Sequence, residues 1–307
     1  MTDLQQPPHV GHIAGGDYLQ QDAIRTAVRE TYRAVRASDR RVAERFYSAD
    51  ELAGLPDATV RIALGVGNPV RLAQLLTGDD VVDLGSGGGI DCLLAARAVG
   101  PVGSVTGVDF LAEMIARAES AAANAGLQKI RFVQGEIESL PLPDASADVV
   151  ISNGVVNLSP RKVRVLAEAF RVLRPGGRLA IVDLVLEHDL PPEIQTHPAA
   201  WAGCLSGALS EIALYKGLRR AGFRAVGIEP QHVFGIADLA LYRPLFNDAL
   251  LDLLRSRVPP ERHDRIARSV FVHARKPAAD ETLPGRQREA CHYAVTPAAR
   301  RPRSPRP

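Results

Sequence analysis

A glycine-rich segment follows an apolar run at VVDLGSGGG, residues 81–89. Glycines stand at positions 85, 87, 88 and 89, and glycine at a strand-to-helix turn lets the backbone approach a ligand closely. A dinucleotide fingerprint counted from Gly85 requires glycine at position 90, where this chain has Ile90. The segment therefore predicts a small-molecule site at a strand end, and it departs from the dinucleotide pattern.

A second acidic strand end, VTGVD, places Asp109 24 residues after Gly85. A carboxylate at this point can accept hydrogen bonds from both hydroxyls of a ribose, as it does in dinucleotide-binding proteins. Asp109 therefore indicates a nucleoside ligand without specifying which one.

Four ordered motifs together resemble those of the class I methyltransferases. They are the acid-x-Gly-x-Gly-x-Gly run from Asp83, the strand end at Asp109, GEIESLPLPDASADVVISN (135–153) and RVLRPGGRLAIVD (171–183). The resemblance implies S-adenosyl-L-methionine as the cofactor, with Asp83 orienting its methionine end and Asp109 binding its ribose. The cofactor-binding residues implied in this way are Asp83, Gly85, Gly87, Asp109, Phe110, Glu136, Ile137 and Asn153, of which Glu136 and Ile137 would contact the adenine.

Within that class the chain is similar to the arsenite methyltransferases over roughly residues 24–277, in segments such as LGVGNPV, ISNGVVNLSP and AGCLSGA. That family holds trivalent arsenic with cysteines at three sites, since soft thiolates are fitting ligands for a soft ion. The resemblance puts Val66 and Gly154 at two of these sites and Cys204 at the third. One thiolate cannot chelate inorganic arsenite as three can, so arsenite binding is not expected to be retained unchanged.

Two interpretations of the missing thiols remain open. In one, the acceptor is a small organic molecule, and Val66 with Gly154 opens an apolar pocket for it. In the other, the acceptor is arsenic that already carries organic groups, for which Cys204 is a sufficient ligand. An organic acceptor can need a general base, so the catalytic candidates are Cys204 and His197, the latter in the Pro-rich segment after the predicted fifth strand.

Two other classes of protein are alternatives to a methyltransferase. A non-catalytic partner subunit or sensor that binds the cofactor would explain the missing cysteines, although the cofactor motifs are intact. A nicotinamide oxidoreductase is disfavoured by Ile90 in the glycine loop.

The elements that must position these residues alternate between apolar runs and helical patterns, which indicates an α/β, doubly wound, Rossmann-like sheet. By resemblance to class I methyltransferases, the sheet is expected to have seven strands and to insert the last one antiparallel. The predicted strands are 80–85, 104–109, 130–136, 147–153, 178–185, 225–230 and 269–275. The predicted helices are 18–37, 90–99, 111–125, 160–173, 208–221 and 237–257, with LRPGG (173–177) and RAGF (220–223) as helix-ending turns.

Three segments are expected along the chain. Residues 1–70 form a cap over the cofactor, and residues 71–277 form the methyltransferase domain, with a helical excursion at 231–268. Residues 278–307 form a disordered tail rich in proline and arginine, whose six arginines outnumber its three acidic residues. Of the net charge of +2, the rest of the chain therefore carries −1.

The composition excludes several classes of partner. A nearly neutral body gives no reason to expect a nucleic-acid partner. No apolar run approaches the roughly 18 residues of a membrane span, and the first thirty residues lack a signal-peptide core, so a cytoplasmic protein with a small-molecule acceptor is expected. The cysteines, Cys92, Cys204 and Cys291, are too scattered for a disulfide framework or a zinc site. Cys92 aligns with a cysteine interpreted as a packing residue in the family.

Overall fold

The computed structural model describes the backbone of residues 18–281 and the side chains from residue 21 onward. Cys291 and the expected tail from position 282 lie outside the described residues. The strands are β1 Asp80–Leu84, β2 Ser104–Asp109, β3 Ile130–Gln134, β4 Ala147–Asn153, β5 Leu173–Val185, β6 Arg224–Phe234 and β7 Ala267–Arg275.

Thirteen α-helices lie between and around these strands in residues 18–281. They are α1 Tyr18–Ala34, α2 Arg40–Glu44, α3 Ala49–Leu52, α4 Asp57–Val60, α5 Pro69–Leu72, α6 Ile90–Val99, α7 Ala112–Asn124, α8 Lys162–Val172, α9 Pro192–Gln195, α10 Pro198–Ala202, α11 Glu211–Ala221, α12 Ile236–Leu239 and α13 Asp248–Arg257. None of the helices in this part of the chain combines the length and the apolar character that crossing a bilayer requires.

The strands form one sheet in the order β3-β2-β1-β4-β5-β7-β6. Neighbours from β3 through β5 are parallel, whereas β7 runs antiparallel to both β5 and β6. This confirms the seven-stranded doubly wound sheet with an antiparallel last strand. The strand order reverses between β1 and β4, and in such sheets ligands bind at the carboxyl ends of the strands beside that reversal.

The central strands are apolar on both faces because helices cover both sides of the sheet. Val81 of β1 packs in one core with Leu94 and Ala95 of α6. Its neighbour Val82 faces the opposite side, in a core that contains Leu166 of α8. A strand buried on both faces appears in the sequence as a continuous apolar run, which is why β1 and β4 were recognisable.

Two predicted elements differ from the structure. The LRPGG segment was expected to be a turn that ends a helix, but β5 already begins at Leu173, which pairs with Ala147. The next partners are Val149 and Arg178, so the extra residues form a bulge within the strand, with Gly176 at a φ of +82°. Leu173 pairs with Ala147 of the neighbouring strand β4, and a contact between residues so far apart in the chain is not encoded in a local sequence pattern.

The helix predicted at 237–257 is two shorter helices, α12 and α13. Pro244 lies between them, and its ring prevents a continuous helix because it removes a backbone donor. Asn247 begins α13 by accepting a hydrogen bond from the Leu250 N–H at 2.9 Å. The strand before this segment also continues to Phe234, so the excursion begins later than the expected residue 231.

Candidate active site

The glycine loop borders a cavity at the carboxyl ends of β1 and β2. This glycine-loop cavity, about 740 Å³, is lined by Gly85 and Gly87, by Asp109 and by Asp91. Gly85 has a φ of +74°, and a Cβ built on it would lie 2.5 Å from Val155. A Cβ at Gly87 would meet nothing within 4 Å, so the backbone there faces open space. The loop therefore leaves room for a ligand to lie directly against the main chain.

Asp109 joins the glycine loop to the end of β2. One carboxylate oxygen accepts a hydrogen bond from the Gly87 N–H at 2.9 Å, and the other accepts one from the Leu111 N–H, also at 2.9 Å. Burial raises the pKa of Asp109, and the backbone donors oppose that shift. Each oxygen keeps a lone pair, so the group can still accept the two hydroxyls of a ribose.

Asp83 is not on the surface of this cavity. Its carboxylate lies beneath the loop, where it accepts the thiol hydrogen of Cys92 at 3.3 Å. Burial raises the pKa of Asp83, and the nearby Asp91 raises it further. Any effect of Asp83 on the cofactor would therefore pass through the loop and α6, and Cys92 is a fully buried packing residue beside it.

Asp91 lines the cavity and was not singled out from the sequence. Its two carboxylate oxygens accept hydrogen bonds from the Tyr47 hydroxyl at 2.7 Å and the Asn153 amide at 3.0 Å. Burial raises its pKa. Its position in the first turn of the helix after the glycine loop was the available signal, but acids are common there for purely local reasons.

Asn153 lies at the end of β4 and organises the opposite wall. Its carbonyl oxygen accepts from the Val66 N–H at 2.8 Å, and its amide nitrogen donates to the Gly67 carbonyl at 2.9 Å. These contacts hold residues 65–67 against the cavity. Asn153 was expected among the cofactor residues, and the structure adds that its side chain is already engaged with protein partners.

The Glu136 cavity adjoins the glycine-loop cavity, with which it shares Gly85 and Phe110. It has about 490 Å³ and is lined also by Ile137 and Glu136. The Glu136 carboxylate forms an ion pair with Arg29 of α1 at 2.8 Å, and the Arg29 guanidinium lies 5.5 Å from the centre of the Phe110 ring. The expected adenine-side residues thus come together, and α1 closes over them.

Three arginines one helical turn apart attach α1 to the sheet domain. Arg25 pairs with Glu138 at 3.3 Å, Arg29 with Glu136, and Arg33 with Glu113 at 2.9 Å. Spacing of four residues puts these arginines on one face of the helix. The helix was predictable from the sequence but its partners were not, because those acids follow β3 or begin α7, far along the chain.

A third cavity, the Cys204 cavity, contains the three positions that the family resemblance singled out. It has about 320 Å³, and Val66, Gly154 and Cys204 all line it. The Cys204 thiol donates to the Gly154 carbonyl at 3.2 Å, and a Cβ built on Gly154 would lie 3.6 Å from Val66. Tyr32, Leu64 and Gly154 line both this cavity and the glycine-loop cavity, so the two meet there.

The remainder of the Cys204 cavity is apolar and aromatic. Its other lining residues are Tyr32, Leu64, Leu184, Gly203, Phe234, Leu239, Tyr242, Leu245 and Phe246. Several of these come from the excursion between β6 and β7, where no sequence motif indicated a functional role. Cys204 itself has a φ of +60°, an uncommon backbone conformation for a residue with a side chain, and burial raises the pKa of its thiol.

His197, the expected general base, lies elsewhere. It precedes α10 and its Nδ1 accepts a hydrogen bond from the Ala199 N–H at 3.2 Å, which is a helix-capping role. His197 is not among the residues that line the Cys204 cavity or the glycine-loop cavity. Of the two catalytic candidates, Cys204 therefore lines a cavity, whereas His197 lines neither of these two.

This sheet topology, with a glycine loop after β1 and an acid at the end of β2, is that of the class I S-adenosylmethionine-dependent methyltransferases. A family model described as a methyltransferase domain matches residues 75–222. The structure of an arsenic(III) S-adenosylmethionine methyltransferase from Chlamydomonas reinhardtii is similar, with a TM-score of 0.57 and 31% identity over 84% of this chain and 75% of that one. The chain belongs to the arsenite methyltransferase-like class I S-adenosylmethionine-dependent methyltransferases.

The curated relatives include arsenite methyltransferases and demethylmenaquinone methyltransferases. An arsenite methyltransferase of Halobacterium salinarum is 46% identical over 185 residues, which are 60% of this chain and 47% of that protein. A demethylmenaquinone methyltransferase of Listeria monocytogenes is 36% identical over 115 residues, 37% of this chain and 48% of that protein. The chain thus spans about half the length of the curated relatives it matches.

Proposed function

We propose that this protein transfers the methyl group of S-adenosylmethionine to a small organic acceptor bound in the Cys204 cavity. The observation that carries the proposal is the convergence of Val66, Gly154 and Cys204 on one cavity in which a single sulfur remains. Arsenite has three oxygens to exchange, and one thiolate replaces only one of them. A cavity lined by valine, glycine and aromatic rings suits a carbon skeleton instead.

The residues of this chain would position and enclose the reactants. Bound S-adenosylmethionine supplies an electrophilic methyl group. Asp109 and the backbone at Gly87 would hold the ribose side, while Arg29 and Phe110 would cover the adenine. The cavities meet at Tyr32, Leu64 and Gly154, so an acceptor in the Cys204 cavity would face the methyl group with water excluded, and alignment of this kind accelerates transfer.

The demethylmenaquinone methyltransferases support an organic acceptor. Their name states an organic substrate, a quinone derivative, and they match this chain at 36% identity. Acceptor type therefore differs among the proteins to which this chain is related.

A second candidate is methylation of trivalent arsenic that already carries two organic groups. The observation in its favour is the Cys204 thiol, which lines the cavity 3.2 Å from the Gly154 carbonyl. Such arsenic has one exchangeable ligand, so one thiolate suffices to bind it. Burial raises the pKa of Cys204, so the thiol would have to lose its proton as the arsenic–sulfur bond forms.

The test is methyl transfer from labelled S-adenosylmethionine by the purified protein and by its Cys204→Ser variant. Separate reactions contain glutathione with arsenite, monomethylated or dimethylated trivalent arsenic, or a panel of small organic acceptors. Transfer to organic acceptors with none to arsenic supports the main proposal. Arsenic methylation that disappears in Cys204→Ser supports the second candidate. Cofactor binding without transfer to any acceptor contradicts both and favours a non-catalytic partner or sensor.

A further inference from the structure

No charged side chain is among the described residues that line the Cys204 cavity. Among the described residues that line it, Tyr32, Cys204 and Tyr242 carry the polar side-chain atoms. The Tyr32 and Tyr242 hydroxyls donate to backbone carbonyls at 3.3 and 3.0 Å, and the thiol donates to the Gly154 carbonyl at 3.2 Å. These hydrogens are committed to the protein, so the oxygen and sulfur atoms offer the ligand lone pairs instead of donors.

The backbone N–H groups of Val66, Gly154 and Cys204 are also hydrogen-bonded within the protein. The Val66 N–H donates to the Asn153 side chain at 2.8 Å, the Gly154 N–H to the Val182 carbonyl at 2.8 Å, and the Cys204 N–H to the Trp201 carbonyl at 2.9 Å. A carboxylate, phosphate or phenolate placed beside these three positions would lose its hydration and find their N–H groups already paired. The cavity therefore disfavours an anionic acceptor.

The same side chains cannot take a proton from the acceptor. Burial raises the pKa of Tyr32, of Cys204 and of Tyr242, so all three remain protonated near neutrality. His197, the base expected from the sequence, does not line the cavity. The attacking atom must therefore carry a usable lone pair in its uncharged form.

Transfer to such an atom creates a positive charge in the cavity. The bond between the methyl carbon and the cofactor sulfur breaks, a bond from that carbon to the acceptor atom forms, and the positive charge passes to the acceptor while the cofactor sulfur becomes neutral. Four aromatic rings line the space: Tyr32, Phe234, Tyr242 and Phe246. The faces of aromatic rings attract onium cations, so the cavity can stabilise the product charge.

We propose that the acceptor is an uncharged nucleophile bearing apolar groups, and that its onium product forms among these rings. This inference rests on the methyl transfer proposed above and names its substrate class. The shared chemistry is an uncharged atom with a free lone pair, such as a thioether sulfur, a selenide selenium or a diorganyl trivalent arsenic. Phenols, carboxylic acids and phosphates are excluded from the class.

The experiment compares probes of matched shape with the full-length protein and labelled S-adenosylmethionine. Methyl phenyl sulfide and methyl phenyl selenide are the test acceptors, and phenol and benzoate are the controls. We expect transfer to the sulfide and selenide at least about tenfold faster than to phenol, and none to benzoate. A parallel reaction with dimethylated trivalent arsenic distinguishes an arsenic acceptor from a sulfur or selenium acceptor. Cys204→Ala should lower the rate of transfer to arsenic at least about tenfold more than the rate of transfer to the sulfide.

A ring-removing variant tests the onium product. Phe246→Leu keeps an apolar side chain but removes one aromatic face, so kcat for the sulfide should fall severalfold while KM changes little. An unchanged calorimetric affinity for S-adenosylmethionine will show that the variant is folded.

Two results would overturn the acceptor class while leaving methyl transfer intact. One is transfer to phenol or benzoate at the rate of the sulfide, and the other is an unchanged kcat in folded Phe246→Leu. Binding of S-adenosylmethionine with no transfer to any probe or panel acceptor would instead overturn the proposed function itself.

Discussion

Cys204 and Gly154, 50 residues apart in the sequence, are joined by a hydrogen bond of 3.2 Å from the thiol to the carbonyl oxygen. Val66, from a third segment, lines the same cavity and would lie 3.6 Å from a Cβ built on Gly154. The three positions that the family resemblance singled out therefore line one cavity.

Thiols placed at positions 66 and 154 should create an arsenite-binding site with Cys204. The double variant Val66→Cys, Gly154→Cys is expected to bind one arsenite through three cysteines, because the three positions surround one cavity. Loss of three titratable thiols per bound arsenite would measure this, and the unsubstituted protein should lose at most one. An unchanged thiol count in the folded double variant would contradict the convergence.

The two single variants, Gly154→Cys and Val66→Cys, should differ in their free energy of unfolding. Gly154 has a φ of +70°, so Gly154→Cys is expected to lower the free energy of unfolding by about 1 to 2 kcal/mol, whereas Val66→Cys has no such backbone cost. Urea unfolding of the two single variants measures the difference. Equal losses would mean that the backbone at position 154 relaxes readily.

Asp109→Ala should weaken binding of S-adenosylmethionine by about 10- to 100-fold, since charge-assisted hydrogen bonds to the ligand and to the glycine loop are lost together. Calorimetric titration gives the affinity, and circular dichroism confirms the fold. Asp252→Ala, which removes an exposed acid on α13, is the matched control and should bind normally. Normal affinity in Asp109→Ala would remove this residue from the site.

Arg29→Ala should weaken cofactor binding by about two- to fivefold, because the partly exposed pair with Glu136 contributes at most about 1 kcal/mol to holding α1 closed. The loss should shrink at high salt. Arg40→Ala, which breaks exposed ion pairs with Glu44 and Asp57, is the control. If both variants lose affinity equally, closure by α1 is not the cause.

Acidification from pH 7 to pH 5 should stabilise the fold through Asp183, whose pKa burial raises to about 6. The ordinary pKa of an aspartate is 3.8, so between the two pKa values the folded state binds the proton more readily than the unfolded chain, and stability falls as the pH rises through this window. The contribution from Asp183 is about 1 kcal/mol over this range. Chemical unfolding at both pH values measures it, and Asp183→Asn should reduce the difference.

Asp83, Asp91 and Asp109 also have raised pKa values and act in the same direction. The pKa of the surface acid Asp39 is instead lowered by Arg41 to about 2, so protonation of Asp39 destabilises the fold only at much lower pH. A wild-type protein less stable at pH 5 than at pH 7 would show that the buried carboxyls do not dominate this window.

Much of the sheet could be predicted because its signals are local. β1 and β4 are buried on both faces and so appear as apolar runs, and Gly222, with a φ of +111°, ends α11 where the RAGF turn was expected. The break between α12 and α13 was missed because helical periodicity continues across Pro244. The start of β5 was missed because Leu173 pairs across the sheet instead of within its own segment.

The sequence by itself determined the class of fold, the glycine loop with Asp109, and the identities of the three residues that the family resemblance singled out, Val66, Gly154 and Cys204. Only the tertiary structure decided which groups share a cavity. It placed Asp91 on the cofactor side, put His197 at a helix cap, and brought Tyr242 and Phe246 beside Cys204. The physical reason is that motifs record local backbone requirements, whereas a cavity is built from side chains far apart in the chain, whose approach depends on how helices and loops pack on the sheet.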